Sequence, residues 1–219
     1  MPGTGCADRA RRVGCAAQSA AMRTNTALHV LLARQDGLIT DAPARTHGVS
    51  ERTLRRRACD DGWTRVAPGV LLAAGHPRTD RARVRAAGLW ASGRGVLSGP
   101  AAAWWHGMLA AAPDRVELTV ARRCGLRSRD GVRIRRRDLD RRDVVAVDGL
   151  VVMAKPLAAL ETAAVVADGS AFLDRALRRH VGFESVYQSY CRNLGPTAVR
   201  GSPRCSWRRP IAPTPLPSG

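Results

Sequence analysis

The sequence predicts an α+β fold, and three observations carry the prediction. Three short segments of helical character precede two apolar strands joined through Ala67-Pro68-Gly69. Strand-like and helical segments then alternate from Thr79 to Leu194, and the composition changes abruptly on either side of the patterned stretch. With 219 residues, 45 % of them hydrophobic, the chain is long enough to bury at least one core.

Residues 1–24 are small, polar and arginine-rich without a sustained period, and are expected to be disordered; Met22 offers a second start. From Thr26 the spacing of Leu28, Leu31 and Leu32 predicts a short amphipathic helix that ends at Asp36-Gly37, where glycine suits a helix C-terminus. Leu38-Ile39-Thr40 follows, and then a weak helix from Asp41 to Thr46, with Pro43 in its first turn, stops at His47-Gly48. Ser50 is a good N-cap for a third helix running from Glu51 to Cys59, up to Asp60-Asp61-Gly62. Trp63-Thr64-Arg65-Val66 and Val70-Leu71-Leu72-Ala73 read as a hairpin around the Pro68-Gly69 turn. Helix, helix, helix, hairpin is the order of a winged helix-turn-helix, which assigns a DNA-binding domain to residues 25–78.

A small mixed α/β domain is expected over residues 79–194. A helix capped near Thr79-Asp80 runs to Trp90, and Ser98-Gly99-Pro100 starts another that carries Trp104, Trp105 and Met108. The segments Val116–Val120, Val132–Arg135, Val144–Val147 and Leu150–Met153 form a sheet, the last two turning at Asp148-Gly149. Helices over Leu157–Val166, Ala171–His180 and Glu184–Leu194 close the domain. Residues 195–219 hold six of the 13 prolines and no acid, and are expected to be a disordered Pro/Arg-rich tail.

The net charge of +18 comes from 36 basic residues, all arginine but Lys155, against 18 acidic ones. A GC-rich coding bias inflates arginine, but +3 lies in the first 24 residues and +4 in the last 25, which leaves +11 for the body. Such a surface attracts polyanions, so nucleic acid is the first partner to consider. The six cysteines are scattered, with no CxxC pair and no histidine pair to complete a zinc site, so they read as reduced thiols of a cytoplasmic protein. Apolar runs such as Ala86–Ala91 are too short to cross a membrane.

In the third helix, turning Leu54 and Ala58 inward sends Arg52, Arg56 and Cys59 outward, with Arg55 beside them. Guanidinium groups can grip guanine edges in the major groove or reach phosphate, whereas Ser50 and Thr53 in the first turn suit phosphate or thymine-methyl contacts. Arg65 rides on the wing. The predicted DNA-binding residues are therefore Ser50, Arg52, Thr53, Arg55, Arg56 and Arg65. Taken alone, Arg55-Arg56-Arg57 is a solvated charged face; the helix-turn-helix frame, the cap and the hairpin reverse that preference. Arg133, Arg135, Arg136 and Arg137 form a second basic cluster, suited equally to an extended footprint, an acidic partner or a solvated face.

The stretch from Leu32 to Thr40, then Gly48-Val49-Ser50 leading into Thr53-Leu54-Arg55-Arg56, then Gly62 to Val70, resembles the N-terminal domain of AbiEi-type antitoxins. The likeness continues more loosely through Leu97–Trp104 and Asp148–Val152. It implies a regulator of a type IV toxin–antitoxin pair that represses its own operon through double-stranded DNA. It also implies a functional toxin partner that need not touch it, and assigns the second domain dimerisation, effector or antitoxin roles. Many actinobacterial relatives continue past the position of Leu194 into a domain similar to very-short-patch-repair endonucleases. Here the Pro/Arg tail stands in its place, as a frameshift or misread coding end would produce. The alternative is thus a truncated remnant of such a fusion, without catalytic activity of its own.

No enzyme is expected. A metal-dependent nuclease needs spaced carboxylates and a nearby lysine; Pro113-Asp114 is present, but Met153 occupies the position two residues before Lys155. Gly93-Arg94-Gly95 lacks the ending of a phosphate loop, and Ser98 lacks the glycine pattern of a nucleophile elbow. His29, His47, His76, His106 and His180 read as surface or helix-end histidines, and Trp104-Trp105 as a core anchor rather than a base-stacking pair. No cofactor or metal is expected.

Overall fold

A computed structural model describes residues 28–40, 50, 52–53, 56, 60 and 62–193. The expected helix from Asp41 to Thr46, the inward Leu54 and Ala58, the candidates Arg55 and Cys59, and both end segments lie outside the described residues.

Residues 28–34 form helix α1. It ends as the Asp36-Gly37 pair predicts: the Gly37 N–H donates to the Leu32 carbonyl at 2.7 Å, with positive φ at both residues. A side chain at Gly37 would also run into the His76 ring. Three antiparallel strands follow, β1 (Leu38–Thr40), β2 (Thr64–Ala67) and β3 (Val70–Leu72), in the order β1-β3-β2. Leu38-Ile39-Thr40, to which the sequence pattern assigned no element, is thus an edge strand. Central β3 is buried on both faces, which is why Val70-Leu71-Leu72 is continuously apolar instead of alternating. On one face Leu71 and Ala73 join Ile39, Trp63, Leu28 and Leu32. On the other, Val70 and Leu72 join Leu38 and Ala67 against Ala82 and Ala86 of helix α2 (Asp80–Ala91).

Helix α2 starts where Thr79 accepts the Ala82 N–H on its hydroxyl and ends at Ser92, whose left-handed backbone donates to Leu89 O. Val84, Ala87 and Ala91 belong to the main core, so α2 lies between the first sheet and a second one. That second sheet comprises β4 (Gly95–Ser98), β5 (Val116–Val120), β6 (Val132–Arg136), β7 (Val144–Val147) and β8 (Leu150–Met153), in the order β6-β5-β4-β8-β7. It is mixed: β4–β5 and β7–β8 are antiparallel, β4–β8 and β5–β6 parallel. The β7–β8 turn has φ of 50° at Asp148 and 78° at Gly149, the double left-handed geometry that an Asp-Gly pair supports.

Helices α3 (Gly99–Trp105), α4 (Lys155–Ala163), α5 (Gly169–Arg179) and α6 (Phe183–Asn193) complete the second part. Met108 lies beyond the end of α3 rather than on it. Ala103, Ala159, Phe172, Leu173 and Ala176 lock α3, α4 and α5 together. Helix α6 is held through one buried carboxylate: Asp143 accepts from Ser189 Oγ at 2.9 Å, Arg192 Nη2 at 2.7 Å and Asn193 Nδ2 at 2.8 Å. Burial alone would raise the pKa of Asp143, but these hydrogen bonds outweigh it and the net shift is downward.

Candidate nucleic-acid interface

The Ser50 helix is placed by its cap. The Thr53 N–H donates to Ser50 Oγ at 3.1 Å, and the two hydroxyls lie 2.9 Å apart. This satisfies one of the first-turn N–H groups that a helix leaves without an internal partner. Arg52, Thr53, Arg56 and Asp60 are helical; Arg52 and Arg56 are exposed and Thr53 is half-buried. The chain leaves this helix through Gly62, at φ 68°, and buried Trp63 then anchors the exit among Leu28, Leu32, Ile39, Leu71 and Ala73. The hairpin begins directly after it, at Thr64.

In the hairpin, Arg65 pairs with Leu71 and Ala67 with Val70, leaving a bulge at Val66. Such a bulge sharpens the local twist of the strand. Arg65 is exposed, as are Pro68 and Gly69 at the tip. Arg52, Arg56 and Arg65 are exposed, and among the described residues none of them has a carboxylate partner; an exposed guanidinium without such a partner can bind an anion.

The second basic cluster differs. Arg133 lies 3.4 Å from Glu117, while Arg135 lies 3.8 Å from Glu117 and 3.1 Å from Glu161. Arg137 lies 2.7 Å from Glu161, and Arg136 donates to Leu126 O at 2.8 Å. Two carboxylates therefore offset three of these arginines. Both partners needed the tertiary fold: Glu117 stands opposite Arg133 in the parallel β5–β6 register, and Glu161 comes from α4.

A polar joint that the sequence did not single out ties the first sheet to the second. Buried Arg85 of α2 donates from Nε to Asp36 Oδ2 and from Nη1 to Asp148 O, both at 2.6 Å. Arg81, one turn earlier, lies 2.7 Å from the Asp148 carboxylate and 3.3 Å from Asp36. Both guanidiniums lie over the Trp105 ring, at 4.4 Å for Arg81 and 5.0 Å for Arg85. Trp105 is accordingly a core anchor, buried and tilted against half-buried Trp104. The helix-end expectation for histidine holds at His106 and His180, which close α3 and α5. His106 Nε2 lies 2.8 Å from Met153 O, and burial holds its pKa below the ordinary value, assisted by Lys155 and His180.

Among the described residues no group of His, Cys, Asp and Glu is arranged to hold a metal ion, and no helix is long and apolar enough to cross a membrane. Asp114 is exposed in the loop before β5, and exposed Lys155 opens α4. No family model matches the chain, and no curated protein matches it.

Proposed function

We propose that this chain is a DNA-binding transcriptional autoregulator, an AbiEi-like antitoxin of a type IV toxin–antitoxin pair, acting on its own operator. In this reading residues 25–78 form a winged helix-turn-helix. The Ser50 helix enters the major groove, where Arg52 and Arg56 meet base edges, and the β2–β3 hairpin is the wing that brings Arg65 to phosphate. The observation that carries it is the pair Arg52 and Arg56, one helical turn apart, exposed and without carboxylate partners among the described residues, beside a hairpin with a third such arginine. The offset arginines Arg133, Arg135 and Arg137 are left out of the footprint. Double-stranded DNA is the partner; a second copy of the chain and a toxin that need not touch it complete the reading, and no catalytic role is assigned.

The test is binding of Arg52→Ala, Arg56→Ala and Arg65→Ala to the region upstream of the gene and to unrelated DNA over a salt series. A base-reading arginine should cost about 1–3 kcal/mol at the specific site and relax preference at one base pair. Arg65→Ala should weaken all sequences alike and reduce the salt slope by about one unit. Unchanged affinity in both helix variants, with the circular dichroism of the intact fold, would reduce the arginine run to a solvated face.

A further inference from the structure

A cleft of about 410 Å³ opens between the first sheet, one face of α2 from Asp80 to Trp90, and the start of the strand pair β5–β6 with its loop. Its size falls within the range of roughly 300–1,000 Å³ that small-molecule sites occupy. Leu72, Ala86 and Trp90 are among its apolar walls, and four arginines, Arg65, Arg78, Arg83 and Arg129, line it against two acids, Asp80 and Asp130. One of those acids is already engaged. Asp80 Oδ1 accepts from Arg83 Nη2 at 2.8 Å, and Arg83 also donates to the carbonyls of Pro113 and Asp114.

The other arginines are not so satisfied. Arg65 and Arg78 have no carboxylate partner among the described residues. The guanidinium of Arg129 lies 5.5 Å from the centre of the Trp90 ring, and its Nη1 is buried without an acceptor. That nitrogen is shut away from the cleft, so what the cleft offers an occupant is its apolar wall with the Trp90 ring and its excess of arginines over acids. Those features suit one kind of occupant: an apolar body that carries one or two anionic groups. The chain's own end segments have the wrong sign, with +3 over the first 24 residues and +4 over the last 25.

We propose that this cleft binds a small amphipathic organic anion, a carboxylate or phosphate ester on an apolar, ring-sized body. Arg129 and Arg78 meet the anionic group, and Trp90 packs against the body. Because Arg65 belongs both to this cleft and to the proposed wing, occupancy draws it away from phosphate and weakens DNA binding. That second half rests on the DNA-binding reading; the site itself does not.

Isothermal calorimetry and thermal unfolding of the full chain with 1-naphthyl phosphate and 1-naphthoate, using neutral 1-naphthol as control, test the site. The two anions should bind saturably and raise the unfolding temperature. Naphthol should bind at least tenfold more weakly. Arg129→Met, which keeps the packing on Trp90, and Arg78→Ala should each weaken anion binding at least tenfold, whereas Arg175→Ala on α5 should not. Equal binding of anions and naphthol, or undiminished binding in both cleft variants, would overturn the site. Salt-matched titration of the upstream DNA with and without 1-naphthyl phosphate separates the two claims. Anion binding that leaves DNA affinity unchanged refutes the coupling and keeps the site, and anion binding by a chain that binds no DNA refutes the DNA reading alone.

Discussion

Replacing Arg85 by methionine tests the joint between the two sheets. The arginine side chain is 3 % exposed and makes two 2.6 Å hydrogen bonds, one to a carboxylate and one to a carbonyl. Methionine fills a similar volume and keeps contact with Trp105, so the main loss is electrostatic. Removing one partner of a buried pair costs about 3–5 kcal/mol because the remaining charge is stranded. Asp36 is not fully stranded: its side chain is 23 % exposed and Arg81 stays within 3.3 Å. The expected loss is therefore about 2–3 kcal/mol, which for a chain of this length lowers the unfolding midpoint by roughly 5–10 °C. Urea denaturation followed by far-ultraviolet circular dichroism, with a calorimetric scan, measures both. A double-mutant cycle with Asp36→Asn isolates the pair, and a coupling of about 1–3 kcal/mol is expected for groups in direct contact. A variant as stable as the parent, or strictly additive single losses, would refute the view that this joint holds the sheets together.

Three further outcomes follow from buried polar groups and one backbone turn. Asp143→Ala strands Arg192, Asn193 and Ser189 together; a loss of about 3 kcal/mol is expected, with faster hydrogen exchange concentrated in α6. Because the Asp143 pKa is lowered on folding, its contribution is fully present above its ordinary value of 3.8 and disappears as the pH falls through its native value. His106 is also lowered on folding, so the unfolded chain takes the proton first as pH drops. Its contribution is therefore complete above its ordinary 6.5 and declines below it, and the stability difference between parent and His106→Gln should shrink from pH 7.5 to about pH 5. Gly37→Ala combines a left-handed backbone with a collision against His76 and should cost about 1–3 kcal/mol in equilibrium unfolding.

Local chemistry made much of this fold readable. Ser50 and Thr79 cap helices because a hydroxyl accepting a first-turn N–H needs only neighbours in the chain. Asp36-Gly37 and Asp148-Gly149 turn where expected because positive φ is a property of single residues. The exposed positions of Arg52, Arg56 and Arg65 were likewise foreseeable from helical period and hairpin signals. What depends on partners distant in sequence was not. Strand β4 is four residues long, with a glycine first and another just after it, too short to show a period, and is a strand because β5 and β8 pair with it on either side. The run through Val84, Ala87 and Leu89 to Trp90 predicts one helix but not that its two faces serve two sheets, with Ala82 and Ala86 turned to the first and Val84 and Ala87 to the second. An arginine run looks the same in sequence whether water or a carboxylate meets it. Glu117 and Glu161 offset Arg133, Arg135 and Arg137, and Asp36 and the Asp148 carbonyl bind buried Arg85, whereas Arg52, Arg56 and Arg65 are exposed. The period and the caps were set by the sequence itself, through interactions between residues a few positions apart. Which charges are paired inside the protein and which stay exposed was decided by the tertiary structure, because ion pairing depends on distances that only packing brings below 4 Å.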